Sequence, residues 1–249
     1  MKTLKIICSV LFLLIFAIPV NILAGEGFTH IWSGFSTSLK GRSAQQRHNA
    51  ELAGQMINGT IIPPGGIFSF NNIVGARDRE KGFVEAPQYN PNGLLEDVPG
   101  GGICQLASTI YNAALLGGLQ IVERHPHSRT IATVPPGRDA TIAGWRKDLK
   151  FRNPFNQPLM IKISCSTDRL DVSFRALKEK DFEVEITTDQ SLLEPDTVVR
   201  YKTEKKQKGI KGFSTVTKRI IRKNGTETVE LISQDTYPAP SNIIEGGEE

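Results

Sequence analysis

The sequence is poor in the residue types that build metal clusters and disulfide frameworks. It contains 3 cysteines and 4 histidines among 249 residues. It has no sustained heptads, no basic stripe with interleaved aromatic residues and no phosphate-binding loop, since no Lys-Ser/Thr pair follows Gly100–Gly102. The formal net charge is +4, and two of these positive charges come from Lys2 and Lys5. The remaining net charge is too small to indicate nucleic-acid binding. We therefore expect no nucleic-acid partner and no cofactor.

Long hydrophobic runs are confined to the first 24 residues. Two lysines precede an apolar stretch over 6–20, and residues 21–24 are typical of the cleavage end of an export signal. The stretch is short for a membrane span, although an uncleaved anchor is the alternative. We predict a signal peptide over 1–24, a secreted product, and membrane contact through the signal segment alone.

Two cysteines, Cys104 and Cys165, remain once the signal with Cys8 is removed. In an exported protein the ordinary interpretation of such a pair is a disulfide. Two cysteines do not form a stapled framework in a domain of this size, and Cys165 lies at the end of a predicted strand. We expect two free thiols, with the disulfide as the alternative.

The region before Cys104 contains a helix, a turn and a long irregular stretch. Ser43–Gln46 fits a capping box, which predicts a helix from there to about Ile57. Residues 63–66 predict a turn, and 67–70 a short strand. Residues 75–99 are expected to form a long loop leading into the cysteine, and long loops in compact domains are often functional.

A second helix is predicted directly after Gly100–Gly102. Apolar residues from Ile103 onward recur at i, i+3, i+4 and i+7, and Gly117 with Gly118 ends the pattern. Cys104 then lies in the first turn, where unpaired N–H groups and the helix dipole favour a thiolate. The alternative is that Cys104 packs as a small hydrophobic residue.

The remaining pattern is that of short strands, which gives an α+β fold class. A helix-plus-antiparallel-strand domain is expected over 25–177, and a small all-β module over 178–249. The Asn224-Gly225 pair predicts a hairpin turn within that module. Strands are predicted in the first domain at 119–124, 130–134, 138–142, 159–164 and 170–174.

A cysteine nucleophile needs a base, and the base needs an orienting group. An antiparallel strand after the second helix would bring His125 or His127 back beside Cys104. Asp139, on the next predicted strand, would orient the histidine. We predict Cys104 as the nucleophile, His127 as the general base and Asp139 as the orienting acid, with the backbone N–H groups of Cys104 and Gln105 at the oxyanion. The predicted substrate-binding residues are Gly101, Gly102, Gln105, His125 and Arg138.

Three other interpretations of these residues stay open. His125 and His127 fit a polar turn, and Arg138 with Asp139 fits a structural ion pair. The two histidines with Cys104 supply only three metal ligands, whereas a structural zinc site normally has four. We therefore predict no metal.

Several separated motifs resemble the VanW family, which is named from vancomycin-resistance gene clusters. The resemblance covers about residues 35–174, and the C-terminal tail is similar to the G-five module of bacterial surface proteins. The VanW-like motifs include Gly100–Gln105, Ser108–Asn112, Glu123–Arg124, His127–Ser128, Pro136–Thr141 and Asp148–Asn153. Those of the tail are Gly209–Gly212, Asp235–Tyr237 and Gly246–Gly247.

The resemblance implies a bacterial envelope protein with peptidoglycan or its stem peptides as partner, and it supplies no settled reaction. Our leading hypothesis is a protein that acts on or binds peptidoglycan, by Cys104-dependent acyl transfer on a peptide or amide, as in a peptidase or transpeptidase. The alternative is a non-catalytic wall-binding or structural envelope module. The sequence leaves the oligomeric state open.

Overall fold

The computed structural model describes residues 27–89, 95–200 and 208–245. The export signal predicted over 1–24 lies outside the described residues. Within them the helices are α1 (Ala44–Ile57), α2 (Phe70–Val74) and α3 (Ile103–Leu116), and Arg79–Lys81 forms a 3₁₀ turn. The strands are β1 (His30–Ser38), β2 (Ile61–Ile62), β3 (Ile67–Ser69), β4 (Glu85–Tyr89), β5 (Leu95–Pro99), β6 (Gln120–Glu123), β7 (Lys150–Arg152), β8 (Leu159–Cys165), β9 (Arg169–Ala176), β10 (Glu183–Leu193), β11 (Thr197–Arg200), β12 (Gly212–Lys223), β13 (Thr226–Tyr237) and β14 (Asn242–Glu245).

These elements confirm the predicted α+β class. Four antiparallel strands form the largest sheet, in the order β1-β9-β8-β2, and a smaller sheet has the order β3-β7-β6. A third sheet, β10-β12-β13, is called the C-terminal sheet below. The remaining pairs are the β4-β5 hairpin and the parallel pair β11-β14. No helix in the described ranges is both long enough and apolar enough to cross a membrane.

Helix α1 begins at the predicted capping box. The Ser43 hydroxyl accepts a hydrogen bond from the Gln46 N–H at 3.1 Å, and the Gln46 side chain accepts one from the Ser43 N–H at 3.2 Å. Ala53 and Ile57 are fully buried on the inner face of the helix. The short capping signal therefore located the start of α1 correctly.

Helix α3 is the centre of the fold. It packs against β1 and β9 on one side and α1 on another. All of its residues except Cys104 and Leu116 are buried, including the polar Gln105, Ser108, Thr109 and Asn112. The predicted end is confirmed, and Gly118 adopts a left-handed φ of 73° that favours glycine.

The stretch 75–99 is not the loop that the sequence predicted. The 3₁₀ turn and the β4-β5 hairpin occupy most of it. Pro87 and Pro99 lie in these strands and obscure the alternation that identifies a strand, and a two-stranded pair tolerates them because its outer edges need no partner. Residues 90–93, whose Asn-Pro-Asn-Gly sequence predicts a turn, lie outside the described residues.

Two predicted strands, 130–134 and 138–142, are irregular segments with turns. In the second, side chains of α3 replace the backbone partners that a neighbouring strand would supply. Asn112 donates from Nδ2 to the Arg138 carbonyl at 2.7 Å. The sequence also gave no sign of β7, which pairs with both β3 and β6.

The C-terminal sheet packs against the first part of the chain through polar contacts. Arg219 on β12 donates from Nη1 to the carbonyl of Leu119 at 2.7 Å, just beyond the end of α3. Thr217, also on β12, donates to the carbonyl of Gly137 at 3.3 Å. The predicted Asn224-Gly225 hairpin turn joins β12 to β13. The domain boundary near residue 177 stays a prediction.

Candidate active site

Cys104 is a free thiol in the first turn of α3, at the end of a tight glycine loop. Gly102, the residue before the helix, has a φ of 102°, and a Cβ there would lie 2.8 Å from the Gln46 carbonyl oxygen. A Cβ on Gly101 would lie 2.2 Å from the Ala86 carbonyl oxygen. Larger residues would push the loop away from α1 and β4. The two glycines therefore fix the position of Cys104 at the start of α3.

A row of polar side chains on α3 holds the segment that carries Asp139. Cys104, Ser108 and Asn112 are four residues apart and share one face of the helix. The Ala140 N–H donates to the Ser108 hydroxyl at 3.0 Å. The Ile142 N–H donates to the Cys104 sulfur at 3.5 Å. The polar side chains of α3 therefore fix the position of the Asp139 segment relative to Cys104.

His127 meets Asp139 through two contacts. Its Nδ1 lies 2.5 Å from Oδ2 of Asp139, and its backbone N–H donates to the same oxygen at 2.7 Å. The Thr141 N–H donates to the His125 carbonyl at 2.8 Å, which joins the two segments beside each other. Because Asp139 occupies Nδ1, Nε2 is the ring nitrogen left to act on Cys104.

The charges of Cys104 and His127 are coupled. Burial raises the pKa of the Cys104 thiol, but hydrogen bonding and charge from His127, with help from Arg77, leave it below its usual value. Burial lowers the pKa of His127, yet hydrogen bonding to Asp139 and Cys104 raises it to about 9. Both shifts act in the direction of a thiolate beside an imidazolium, the reactive form of a cysteine nucleophile.

Asp139 is itself anchored by residues that are far apart in sequence. Arg124 donates from Nη2 to Oδ1 of Asp139 at 2.9 Å and from Nε to its carbonyl at 2.6 Å. Tyr237 on β13 donates its hydroxyl hydrogen to the same Oδ1. Asp235, also on β13, accepts Nη1 of Arg124 at 2.6 Å. Burial raises the pKa of Asp139, but the contacts with His127 and Arg124 keep it below its usual value.

Of the predicted binding residues, Gln105 and Gly102 line a cavity beside Cys104. The Gln105 N–H already donates to the Gly102 carbonyl at 3.1 Å, which leaves the Cys104 N–H as our candidate oxyanion donor. Gly101 is buried behind the loop, where its carbonyl accepts Nδ2 of Asn49 at 3.0 Å. Gly101 therefore supports the site from behind, whereas Gly102 and Gln105 face the cavity.

His125 and Arg138 point into other networks. His125 Nε2 lies 3.0 Å from a Glu123 oxygen, and Lys150 contacts the other oxygen of that carboxylate at 2.7 Å. Arg138 donates from Nε to Asn112 at 2.6 Å instead of pairing with Asp139. Neither residue lines the cavity beside Cys104. Across the described ranges, no group of three His, Cys, Asp or Glu side chains is placed to hold a metal ion.

The cavity has a volume of about 370 Å³ and contains residues that sequence reasoning missed. No spacing rule links Arg42, before α1, to a cysteine some sixty residues later, so the sequence did not indicate that the two lie at one cavity. Arg124 and Tyr237, which anchor Asp139, lie in two of the family-like motifs, but no function was assigned to either residue from the sequence. The cavity residues that were missed include Arg42, Gln46, Gln88, Arg129, Thr141 and Lys147.

Comparison with known proteins places this site in a recognised family. The family model described as VanW like protein matches residues 45–175, which include Cys104, His127 and Asp139. The match stops before the C-terminal sheet, so the likeness of the tail to a G-five module stays a prediction. No solved structure matches the chain.

Two relatives each match about half of this chain. The uncharacterized protein YoaR of Bacillus subtilis (strain 168) is 45% identical over 128 residues, which are 51% of this chain and 41% of YoaR. The vancomycin B-type resistance protein VanW of Enterococcus faecalis (strain ATCC 700802 / V583) is 31% identical over 128 residues, 49% of this chain and 46% of that protein. The match spans less than half the length of each relative. With a family model matched over more than half of its residues, the chain belongs to the VanW-like family.

Proposed function

We propose that the chain is an exported enzyme of the bacterial cell envelope that uses Cys104 to transfer or hydrolyse a peptide acyl group of peptidoglycan. The observation that carries the proposal is the coupling of Cys104, His127 and Asp139 at the edge of a cavity. A packing cysteine needs no histidine partner, whereas a nucleophile needs both partners. The envelope location is supported by the predicted export signal, and the relative named for vancomycin resistance suggests a cell-wall substrate.

The reaction begins with the thiolate. The Cys104 sulfur attacks the carbonyl carbon of an amide bond, and the resulting oxyanion is stabilised by the Cys104 N–H at the start of α3. His127 then gives its Nε2 proton to the leaving amine as the carbon–nitrogen bond breaks. A thioester remains on Cys104.

The second half reverses these roles. Neutral His127 takes a proton from water or from an acceptor amine, which attacks the thioester carbonyl and releases the Cys104 thiolate. Water gives hydrolysis and an amine gives transpeptidation. Asp139 keeps the proton on Nδ1 throughout, so that Nε2 is always the nitrogen that exchanges protons with the substrate.

The direct test compares two cysteines in one molecule. Burial raises the pKa of Cys165, whereas that of Cys104 is lowered. Alkylation by iodoacetamide, read by mass spectrometry of the two cysteine peptides, should be at least tenfold faster at Cys104 at about pH 6.5, because one pKa unit changes the thiolate fraction tenfold. Equal rates at that pH would rule out the activated thiolate.

A binding module without catalysis is the competing hypothesis, and one variant separates the two. Incubation with muropeptides should leave an acyl group on Cys104 that mass spectrometry detects. Cys104→Ala should remove this adduct and should abolish the cellular phenotype that depends on the protein. Persistence of both muropeptide binding and phenotype in Cys104→Ala would favour the binding module.

A further inference from the structure

Among the described residues, the cavity beside Cys104 is lined by positive side chains and by no carboxylate. Its cationic side chains come from three separate segments, before α1, after β6 and before β7. They are Arg42, Arg129 and Lys147. A cavity of one charge sign raises the local concentration of the opposite charge, so the geometry favours an anionic ligand.

Arg42 is the best placed of these cations. Its Nε donates to Oε1 of Gln105 at 2.7 Å, next to the nucleophile in sequence. Gln105 is fixed in turn, since its Nε2 donates to the Thr37 hydroxyl at 3.0 Å and to the Ser38 carbonyl at 2.8 Å. The guanidinium is therefore held at the cavity wall by one edge. Its Nη groups are not used by any carboxylate in the described part of the chain.

The environment of Arg42 carries an uncompensated cost. Burial accounts for its lowered pKa, and no acidic side chain within the described ranges offsets that effect. Lys147 is half-buried at the same cavity, and none of the described carboxylates pairs with it either. A guanidinium binds a carboxylate through two parallel hydrogen bonds, and an ammonium adds a point charge. A ligand carboxylate would compensate both groups.

We propose that Arg42, assisted by Lys147, forms a carboxylate-binding subsite that selects substrates with a free carboxylate near the amide attacked by Cys104. The inference rests on the proposed acyl transfer and specifies what its substrate carries. Arg42 acts here as a specificity-determining residue, since it contacts a part of the substrate that does not react.

The test uses two probes that differ in charge and attack the same sulfur. Iodoacetate carries a carboxylate and iodoacetamide a neutral amide, so the ratio of their rates at Cys104 reports the field of the cavity. Arg42→Gln should lower the iodoacetate-to-iodoacetamide ratio about fivefold, which is the effect of one partly exposed ion pair. Lys147→Gln should lower it by a smaller factor. Added salt should reduce the ratio in the unaltered protein.

Lys40→Gln is the matched control. Lys40 is exposed two residues before Arg42 and does not line the cavity, so its loss removes the same charge without touching the subsite. The ratio should hardly change. An unchanged ratio in both Arg42→Gln and Lys147→Gln, or an equal drop in Lys40→Gln, would overturn the proposal. The iodoacetamide rate alone reports whether the Cys104 thiolate survives, so failure of the subsite is distinguishable from failure of the proposed function.

A protection experiment identifies where the carboxylate lies on the substrate. The probes are acetyl-Ala-D-Ala, its C-terminal amide, and acetyl-Glu-Ala amide, each added before iodoacetamide. Selective protection of Cys104 by the first peptide assigns a C-terminal carboxylate, and selective protection by the third assigns a side-chain carboxylate. Either pattern should disappear in Arg42→Gln, and equal protection by all three peptides would contradict a carboxylate subsite.

Discussion

Helix α3 and the C-terminal sheet contribute to the same site by different means. The helix presents the thiol and uses its buried polar side chains to place the segment opposite. The sheet contributes none of the three candidate residues, yet Asp235 and Tyr237 on β13 contact Arg124 and Asp139. The helix thus supplies reactivity, while the sheet fixes the group that orients the base.

The two regions also differ in what they bury. Helix α3 buries mostly apolar side chains, whose packing tolerates small changes of volume. The C-terminal sheet contacts the site through a network of ion pairs. In it the side chains of Arg124, Asp139 and Asp235 are 5%, 2% and 6% exposed. Removing one member of such a network leaves an uncompensated buried charge, which costs about 3–5 kcal/mol. The contribution of the sheet should therefore be the more sensitive to a single substitution.

The largest expected effect comes from Asp139→Asn, because Asp139 connects the two regions. Without the carboxylate, burial lowers the pKa of His127 from about 9, and His127 loses its charge near neutral pH. Loss of the imidazolium raises the pKa of Cys104, so less thiolate is present. Alkylation of Cys104 by iodoacetamide at about pH 6.5 should slow at least tenfold and recover at higher pH.

The sign of the pH dependence also applies to stability. The raised His127 pKa contributes stability that is full below the unfolded value of about 6.5 and is lost as pH rises through about 9, whereas the lowered Cys104 pKa contributes stability that is lost as pH falls. In a Cys104→Ala background, where His127 titrates without the thiolate, Asp139→Asn should remove the fall due to His127 from urea-denaturation midpoints. Asp148→Asn is the control, since Asp148 is another buried carboxylate that bonds to Ser69 and Asn71 and not to His127. An identical alkylation profile in both variants would contradict the role of Asp139.

The sequence predicted the helix side of this comparison far better than the sheet side. The capping box and the i, i+3, i+4 pattern are local signals: α1 begins at the capping box, and α3 ends where its apolar pattern ends. Cys104, His127 and Asp139 could be proposed together because they are separated by short segments. By contrast, Tyr237 is separated from Asp139 by 98 residues, and no local pattern reports such a contact.

The two wrongly predicted strands have a related cause. The segments 130–134 and 138–142 have strand-like composition, but α3 side chains take over the hydrogen bonds of the second segment. The regular spacing of Cys104, Ser108 and Asn112 was visible in the sequence and would have indicated a polar face. The cavity cations could not have been found in that way, because Arg42 reaches the site only through the packing of α1 against α3.

A second prediction separates the two charges that Arg124 contacts. Asp235→Asn removes the partner on the sheet but leaves Asp139 in contact with His127. We expect the free energy of unfolding to fall by about 3 kcal/mol, measured by urea denaturation, with little change in the pH profile of Cys104 alkylation. The control is Asp189→Asn on β10, an exposed partner of Lys218 whose loss should cost at most about 1 kcal/mol. An equal loss in the two variants would mean that the sheet contact is an ordinary surface ion pair.

The smallest and sharpest prediction compares two buried tyrosines, one from each region. The Tyr237 hydroxyl donates to Asp139 and accepts the Gly137 N–H at 2.7 Å, whereas the Tyr111 hydroxyl on α3 is buried with no hydrogen-bond partner in the described residues. Tyr237→Phe should cost about 1–2 kcal/mol in urea denaturation, and Tyr111→Phe should be neutral or slightly stabilising.

The pH profile of Cys104 alkylation distinguishes positioning from plain stability in this pair. If Tyr237 holds the carboxylate of Asp139 against His127, Tyr237→Phe loosens that contact, and the profile moves to higher pH by less than in Asp139→Asn. Tyr111→Phe should leave the profile in place because the Tyr111 hydroxyl bonds to no described residue. A loss of stability in Tyr237→Phe with an unmoved profile would limit the C-terminal sheet to a structural role and leave the placement of the base to α3 alone.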